Sequence, residues 1–152
     1  MTANSSPLII GCDHAAFQLK QKVVDFIKAR GIEVHDVGTF NEASVDYPDF
    51  GAQVALAVST GRYSHGILIC GTGIGMSIVA NRYANVRAAL CNDLFAAKLS
   101  RQHNDANILV MGGRVIGDIL AFEIVRTWLQ TPFEGGRHQK RIDLFNKMGQ
   151  TA

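Results

Sequence analysis

The first candidate for chemistry is a cysteine followed by a glycine-rich loop. Cys70 ends an apolar run, and Gly71, Gly73 and Gly75 follow it before a predicted helix. Glycines let backbone N–H groups approach an anion, and a helix N-terminus adds partial positive charge. Such surroundings favour the thiolate form of a cysteine. The pattern predicts a thiol that acts as a nucleophile or a base beside an oxyanion-binding loop, with Thr72 able to hydrogen-bond the same oxygens.

The spacing of this loop separates it from three familiar phosphate-binding loops. An ATP-binding loop ends in Gly-Lys-Ser/Thr, whereas this chain reads Gly75-Met-Ser77. A dinucleotide-binding loop has the pattern G-x-G-x-x-G, and here the third glycine falls one residue too early. A cysteine phosphatase places an arginine six residues after its cysteine, where this chain has Met76. A tight strand-to-helix connection without a ligand remains open, although one turn rarely needs three alternating glycines.

Two histidines stand where a side chain could act on a ligand. His14 follows the first apolar run, next to Asp13, whose carboxylate could accept a proton or orient a hydroxyl group. His103 closes a predicted helix, where a histidine is often only a favourable partner of the helix dipole. The chain contains neither H-x-x-x-H nor H-E-x-x-H. We therefore expect no metal centre.

Three arginines could bind a phosphate group. Arg137 and Arg141 are four residues apart on a predicted helix and share one face, and Arg114 follows the fifth predicted strand. Guanidinium groups bind a phosphate dianion through paired hydrogen bonds. His138 and Lys140 add to the positive patch. The alternative, an ordinary solvated helix face, remains open.

Strands and helices alternate along the chain and must position these residues. Short runs rich in Ile, Leu and Val predict strands that are covered on both faces, and helical spacing predicts helices between them. We predict a Rossmann-like α/β fold, in which an open, doubly wound, five-stranded parallel sheet lies between helices in a three-layer α/β/α arrangement. The predicted strands are 8–12, 32–37, 65–70, 87–91 and 107–111, and the predicted helices are 15–30, 48–59, 76–81, 93–103, 117–129 and 137–147.

The fold class also predicts where a ligand binds. In open α/β sheets, ligands lie beyond the carboxyl ends of the strands. In this chain the residues that follow the predicted strands are 13–14, 38–39, 70–75, 92–93 and 112–114.

Composition limits the classes of protein that the chain could be. Its 152 residues suit a single domain, 1–152, in which we expect residues 1–7 to form a flexible extension. An apolar content of 47% and a formal net charge of +2 exclude a disordered chain and argue against a nucleic-acid partner. No apolar run approaches the roughly 18 residues of a membrane span, and the amino terminus lacks signal-peptide features. We therefore expect no membrane contact. Three widely spaced cysteines without C-x-x-C indicate reduced thiols in a cytoplasmic protein.

Seven segments together resemble the B-type ribose-5-phosphate isomerases, a group that extends to galactose-6-phosphate and allose-6-phosphate isomerases. The resemblance runs in order from about Leu8 to Met148, and no single segment would be specific by itself. The segments are Gly11-Cys-Asp-His14, Asp46-Tyr-Pro48, Cys70-Gly-Thr-Gly-Ile-Gly75, Ala80-Asn-Arg82, Ser100-Arg-Gln-His-Asn-Asp105, Gly113-Arg-Val-Ile-Gly117 and Glu134-Gly-Gly-Arg-His-Gln-Lys-Arg141.

The resemblance implies an aldose–ketose isomerase that needs no metal or cofactor. Such an enzyme interconverts ribose 5-phosphate and ribulose 5-phosphate through a cis-enediolate. Cys70 would be the base, and Thr72 and the N–H groups of Gly71–Gly75 would stabilise the enediolate. His103 would aid ring opening, with Asp13 placed to help.

The resemblance also implies a substrate-binding set and a partner. Asn104 would hold sugar oxygens, and the phosphate would lie among His14 and the three arginines. Members of the family are homodimers whose sites take residues from both subunits, so we expect a homodimer or a dimer of such dimers. The enzyme would act in the non-oxidative pentose phosphate pathway. The expected substrate contacts are Asp13, His14, Tyr47, Gly71, Thr72, Gly73, Ile74, Gly75, Asn104, Arg114, Arg137 and Arg141.

Two alternative functions remain. A hexose-6-phosphate isomerase, acting on allose or galactose 6-phosphate, would need more room between Cys70 and the arginines, which residues 38–46 and 131–136 would set. A sugar-phosphate binding protein without activity would have no need of Cys70, Thr72 and His103 together.

Overall fold

Five parallel strands form the central sheet of the structure, a computed structural model that describes residues 6–149. The strands lie in the order β2-β1-β3-β5-β4, and every neighbouring pair is parallel. The predicted doubly wound sheet is therefore confirmed. The strands are β1 (Leu8–Cys12), β2 (Val34–Asp36), β3 (His65–Cys70), β4 (Ala88–Leu90) and β5 (Ile108–Gly112).

Six α-helices accompany these strands. The first four connect consecutive parallel strands, so they run antiparallel to those strands. A short 3₁₀ turn, His14–Ala16, separates β1 from the first helix. The helices are α1 (Phe17–Lys28), α2 (Tyr47–Ser59), α3 (Ile74–Ala80), α4 (Leu94–Asn104), α5 (Asp118–Gln130) and α6 (Arg137–Phe145).

Apolar side chains fill both faces of the sheet. On one face, alternate strand residues pack against α1 and α5, where Ile27 and Trp128 are among the fully buried side chains. On the other face, Val54 of α2 and Met76 of α3 are fully buried. Cys70 belongs to this second cluster. The sheet thus lies between two layers of helices, as the apolar strands predicted.

The ends of several elements differ from the prediction. β2 and β4 have three residues each, because both are edge strands that pair with a single neighbour. The first helix begins at Phe17, after a turn in which the Ala16 N–H donates to the Asp13 carbonyl at 3.2 Å. In the predicted extension, residues 1–5 lie outside the described part of the chain, and the single domain stays a prediction. Between residues 6 and 149, no helix is long and apolar enough to cross a membrane.

A buried lysine joins α1 to the segment that follows β2. The side chain of Lys20 is fully buried, and its ammonium group donates to both carboxylate oxygens of Asp36, at 2.8 and 2.7 Å. A third hydrogen bond, of 2.7 Å, goes to the Thr39 carbonyl. The same segment pairs with the end of β1, where the Cys12 N–H donates to the Gly38 carbonyl and the Thr39 N–H donates to the Cys12 carbonyl. Lys20 therefore stabilises the backbone next to Asp13, which the sequence analysis did not predict.

Replacing this lysine should destabilise the fold. Lys20→Met removes the charged partner of the Asp36 carboxylate and the ammonium donor to the Thr39 carbonyl, so we expect the free energy of unfolding to fall by about 3 kcal/mol. The measurement is urea unfolding. Lys22→Met is the matched control, because Lys22 pairs with Asp118 at an exposed surface, where ion pairs contribute less than about 1 kcal/mol. A loss for Lys20→Met no larger than the control's would contradict this role.

Candidate active site

The loop between β3 and α3 holds the thiol of Cys70 beside backbone N–H groups. The side chain of Cys70 is 5% exposed, and its Sγ accepts a hydrogen bond of 3.2 Å from the Gly73 N–H. The Thr72 Oγ1 accepts one from the Ile74 N–H, also at 3.2 Å. A donor aimed at sulfur stabilises negative charge there. The arrangement suits a thiolate base next to oxygen-binding groups.

The other two cysteines have different surroundings. Cys12 and Cys91 are 0% and 1% exposed. Burial raises the pKa of Cys12 to about 12 and that of Cys91 to about 11, so both thiols stay protonated near neutral pH. Cys70 is therefore the cysteine that the structure places at a candidate site.

Packing explains two of the three loop glycines. Gly73 has a φ of +84°, and a Cβ there would lie 2.4 Å from Leu90. A Cβ at Gly75 would lie 2.6 Å from the ring of Tyr47. A Cβ at Gly71 would meet nothing closer than Arg114, at 3.6 Å. The tight-turn alternative is thus correct for Gly73 and Gly75 without excluding a ligand, because the loop still presents its N–H groups beside the thiol.

The residues after β1 lie at the same edge of the sheet. The Asp13 N–H donates to the Ile69 carbonyl at 3.3 Å, which places Asp13 beside the end of β3. Its side chain is 7% exposed, and its Oδ1 has no hydrogen-bond partner among the described residues. A buried carboxylate oxygen without a donor is costly, so this atom is available for a ligand. His14 accepts a hydrogen bond at Nδ1 from the Val45 N–H, which leaves Nε2 as the donor of the neutral ring.

Arg114 adds a positive charge to this edge. Its backbone N–H donates to the Gly71 carbonyl at 2.9 Å, and the backbone N–H of the neighbouring Gly113 donates to the Cys70 carbonyl at 2.8 Å. The Arg114 side chain is exposed, and no carboxylate among residues 6–149 forms an ion pair with it. The carboxyl edge thus brings together the predicted residues Asp13, His14, Tyr47, Cys70, Gly71–Gly75 and Arg114.

The remaining predicted residues lie at the opposite edge of the sheet. His103 and Asn104 end α4, which runs antiparallel to the strands and so finishes at their amino ends. The Asn104 carbonyl accepts a hydrogen bond from Arg87, which precedes β4. A strand of six residues, such as β3, spans roughly 16 Å. Within one chain, Cys70 and His103 are therefore separated by about the length of the sheet.

Arg137 and Arg141 accompany the second group. α6 packs against α4, and the Glu134 N–H before it donates to the Gln102 carbonyl at 3.1 Å. Both arginines are exposed, and in the described part of the chain neither forms an ion pair. One chain thus carries two half-sites: the carboxyl half-site with Cys70, and the amino half-site with His103, Asn104, Arg137 and Arg141.

The sequence placed His138 only in a positive patch and did not predict its contacts with Glu134 and His103 in the amino half-site. The ring of His138 is 5% exposed and stacks on His103, with the ring centroids 4.2 Å apart and the planes 11° apart. Its Nε2 lies 3.6 Å from a carboxylate oxygen of Glu134. Burial lowers the pKa of His138, as do the neighbouring His103 and Arg137, while Glu134 partly opposes them. The available signal was the spacing of four residues between Glu134 and His138.

Comparison with known proteins places the chain in a family. Residues 8–145 match the Ribose/Galactose Isomerase family. The chain is 49% identical to ribose-5-phosphate isomerase B of Escherichia coli K12, over 94% of this chain and 96% of that protein. It is 40% identical to D-erythrulose-4-phosphate isomerase of Pectobacterium atrosepticum, over 90% of each.

A solved structure extends the similarity to the fold. Ribose-5-phosphate isomerase B of Thermotoga maritima is 52% identical, with a TM-score of 0.91 over 94% of this chain and 99% of that one. The resemblance found in the motifs is thus confirmed over nearly the whole sequence. The chain belongs to the Ribose/Galactose Isomerase family and is an isomerase.

Proposed function

We propose that the protein interconverts ribose 5-phosphate and ribulose 5-phosphate through a cis-enediolate. The observation that carries this proposal is the Cys70 thiol, held by the Gly73 N–H and lying beside the unpartnered Asp13 carboxylate oxygen and the unpaired Arg114. This arrangement offers a base, donors for an oxyanion and a cation for a phosphate. The relatives named for this reaction support the same assignment.

The chemistry needs a single base and is redox-neutral overall. The Cys70 thiolate removes the proton from C2 of the open-chain aldose, and the electron pair moves onto the carbonyl oxygen at C1. The resulting enediolate is stabilised by the loop N–H groups and by the Thr72 hydroxyl. A proton passes between the two oxygens, the thiol returns its proton to C1, and the ketose forms. Transfer on one face of the enediolate lets one residue serve both carbons.

Ring opening and phosphate binding would use the remaining residues. His103 would protonate the ring oxygen of the furanose, while the Asp13 carboxylate would accept the proton of the hydroxyl group at C1. His14 and the three arginines would bind the phosphate, and Asn104 would bind sugar hydroxyl groups. Such an enzyme would serve the non-oxidative pentose phosphate pathway.

These roles require a second copy of the chain. His103 and Asp13 belong to half-sites at opposite edges of the sheet, and a pentose phosphate is shorter than the strands between them. Large apolar side chains at the amino ends of α3, α4 and α5 are exposed around the carboxyl half-site, including Ile74 (53%), Phe95 (74%) and Ile119 (80%). A partner that covers them would bring its own amino half-site to this loop. Two-fold symmetry would then complete two equal sites in a homodimer.

The reaction is tested by an isomerisation assay across sugar phosphates. We expect turnover of ribose 5-phosphate and, in Cys70→Ala, a fall in kcat of about 10³-fold with substrate binding retained, because only the base is lost. Cys91→Ala is the control, because that thiol is buried away from the loop. Normal activity in Cys70→Ala would contradict the assignment of the base. Faster turnover of allose 6-phosphate, galactose 6-phosphate or erythrulose 4-phosphate than of ribose 5-phosphate would contradict the proposed substrate and leave the base assignment intact.

The phosphate assignment is tested at α6. We expect Arg137→Ala mainly to raise KM, because it removes binding that the substrate and the transition state share. Arg126→Ala is the control, since Arg126 is paired with Glu123 on the surface of α5. An unchanged KM in Arg137→Ala would remove this residue from the site.

The shared site is tested by mixing two inactive variants. A homodimer of Cys70→Ala or of His103→Ala has one substitution in each of its two sites and should be inactive. A mixed dimer has one site with two substitutions and one with none, so random mixing should restore about a quarter of the wild-type rate. The measurement is activity after co-refolding at equal concentration, with each variant refolded alone as control. No recovery in dimers shown to contain both variants would contradict a site built from two chains.

A further inference from the structure

The amino half-site contains a cluster of metal-ligand groups. His103, Glu134 and His138 each offer one ligand atom, and these three atoms lie within 4.8 Å of one another. Two of them, the His138 Nε2 and a Glu134 carboxylate oxygen, are already 3.6 Å apart. In a tetrahedral zinc site with bonds of about 2.0–2.1 Å, ligand atoms are about 3.3 Å apart. The observed separations therefore need adjustments of up to about 1.5 Å.

Backbone hydrogen bonds hold the segments that carry these three side chains close together. His103 lies in the last turn of α4 and His138 in the first turn of α6. The Glu134 N–H donates to the Gln102 carbonyl, and the His138 N–H donates to Gly135 at 3.0 Å. Only the carboxylate of Glu134, 48% exposed, and the partly exposed ring of His103 need to move. His103 must tilt out of its stack, so that the nitrogens of both rings point to one centre.

The ligand set selects a chemical class of ion. Two imidazoles and one carboxylate suit Zn²⁺, Co²⁺, Ni²⁺ and Cu²⁺, whereas Mg²⁺ and Ca²⁺ prefer oxygen ligands. Three protein ligands leave a coordination position for water or a sugar hydroxyl group. Arg137 and Arg141 are charged neighbours of the cluster. An anion in the open coordination position would therefore offset their positive charge.

We propose that a divalent transition metal ion binds His103, Glu134 and His138 and thereby inhibits the isomerase reversibly. Coordination occupies the lone pair of the imidazole nitrogen of His103, so this ring can no longer deliver a proton to the sugar. This consequence rests on the proposed function, whereas the binding itself does not. The metal is an inhibitor and takes no part in turnover, so treatment with EDTA should not lower the rate of the enzyme.

The experiment measures metal binding directly on the full-length protein. After EDTA treatment and dialysis, calorimetric titration with ZnCl₂ should show one ion per chain. Co²⁺ in place of Zn²⁺ should give visible absorption bands without a thiolate charge-transfer band. Glu134→Gln should weaken binding and inhibition by more than about tenfold, because it removes a charged ligand. Glu33→Gln and His35→Asn are matched controls at the far edge of the sheet and should bind like the wild type.

The outcomes separate the metal site from the proposed function. Absence of zinc binding, or binding that Glu134→Gln and His138→Asn leave unchanged, would overturn the site. A thiolate band that disappears in Cys70→Ala would also overturn it, because the ion would then be on the loop cysteine. Zinc that binds with the expected dependence on Glu134 but leaves turnover intact would support the site and contradict both the proposed inhibition and the role given to His103.

Discussion

The parallel direction of all five strands is the constraint on which the rest of the structure depends. Because consecutive strands point the same way, each connecting helix must run back across the sheet. Residues that follow a strand therefore collect at one edge, and residues that end a returning helix collect at the other. Cys70 follows β3, whereas His103 ends α4. Chemistry that needs both residues cannot be completed within one copy of this fold.

The carboxyl half-site shows how a folded chain distinguishes structural from functional polar groups. Lys20 is fully buried, and all three of its protons are donated to oxygen atoms, so it stabilises the fold and has nothing left to offer a ligand. Asp13 is almost as deeply buried, yet one of its oxygens is unpartnered. Lys20 thus stabilises the backbone, whereas Asp13 keeps an oxygen that is available to a ligand, although both residues lie in the first βα unit.

The amino half-site places two imidazoles closer together than proton transfer alone requires. Burial, the stacked His103 and the nearby arginines lower the pKa of His138, so this ring is neutral more easily than charged. A neutral imidazole is also the form that coordinates a metal ion. The packing that would orient His103 for a sugar would thus also favour the proposed transition metal ion.

Local patterns in the sequence predicted the elements and much of the site, and only the tertiary structure decided how the site is divided. Apolar runs such as 65–70 marked the strands, the glycines marked the loop at Cys70, and the rule for parallel sheets placed Asp13 and Arg114 beside it. Three features depend on contacts between residues far apart in sequence, about which periodicity carries no information. They are the short edge strands, the ion pair of Lys20 with Asp36 and the burial of His138. The separation of Cys70 from His103 has the same origin, because it follows from the direction of a whole helix across the sheet and not from the residues at either end.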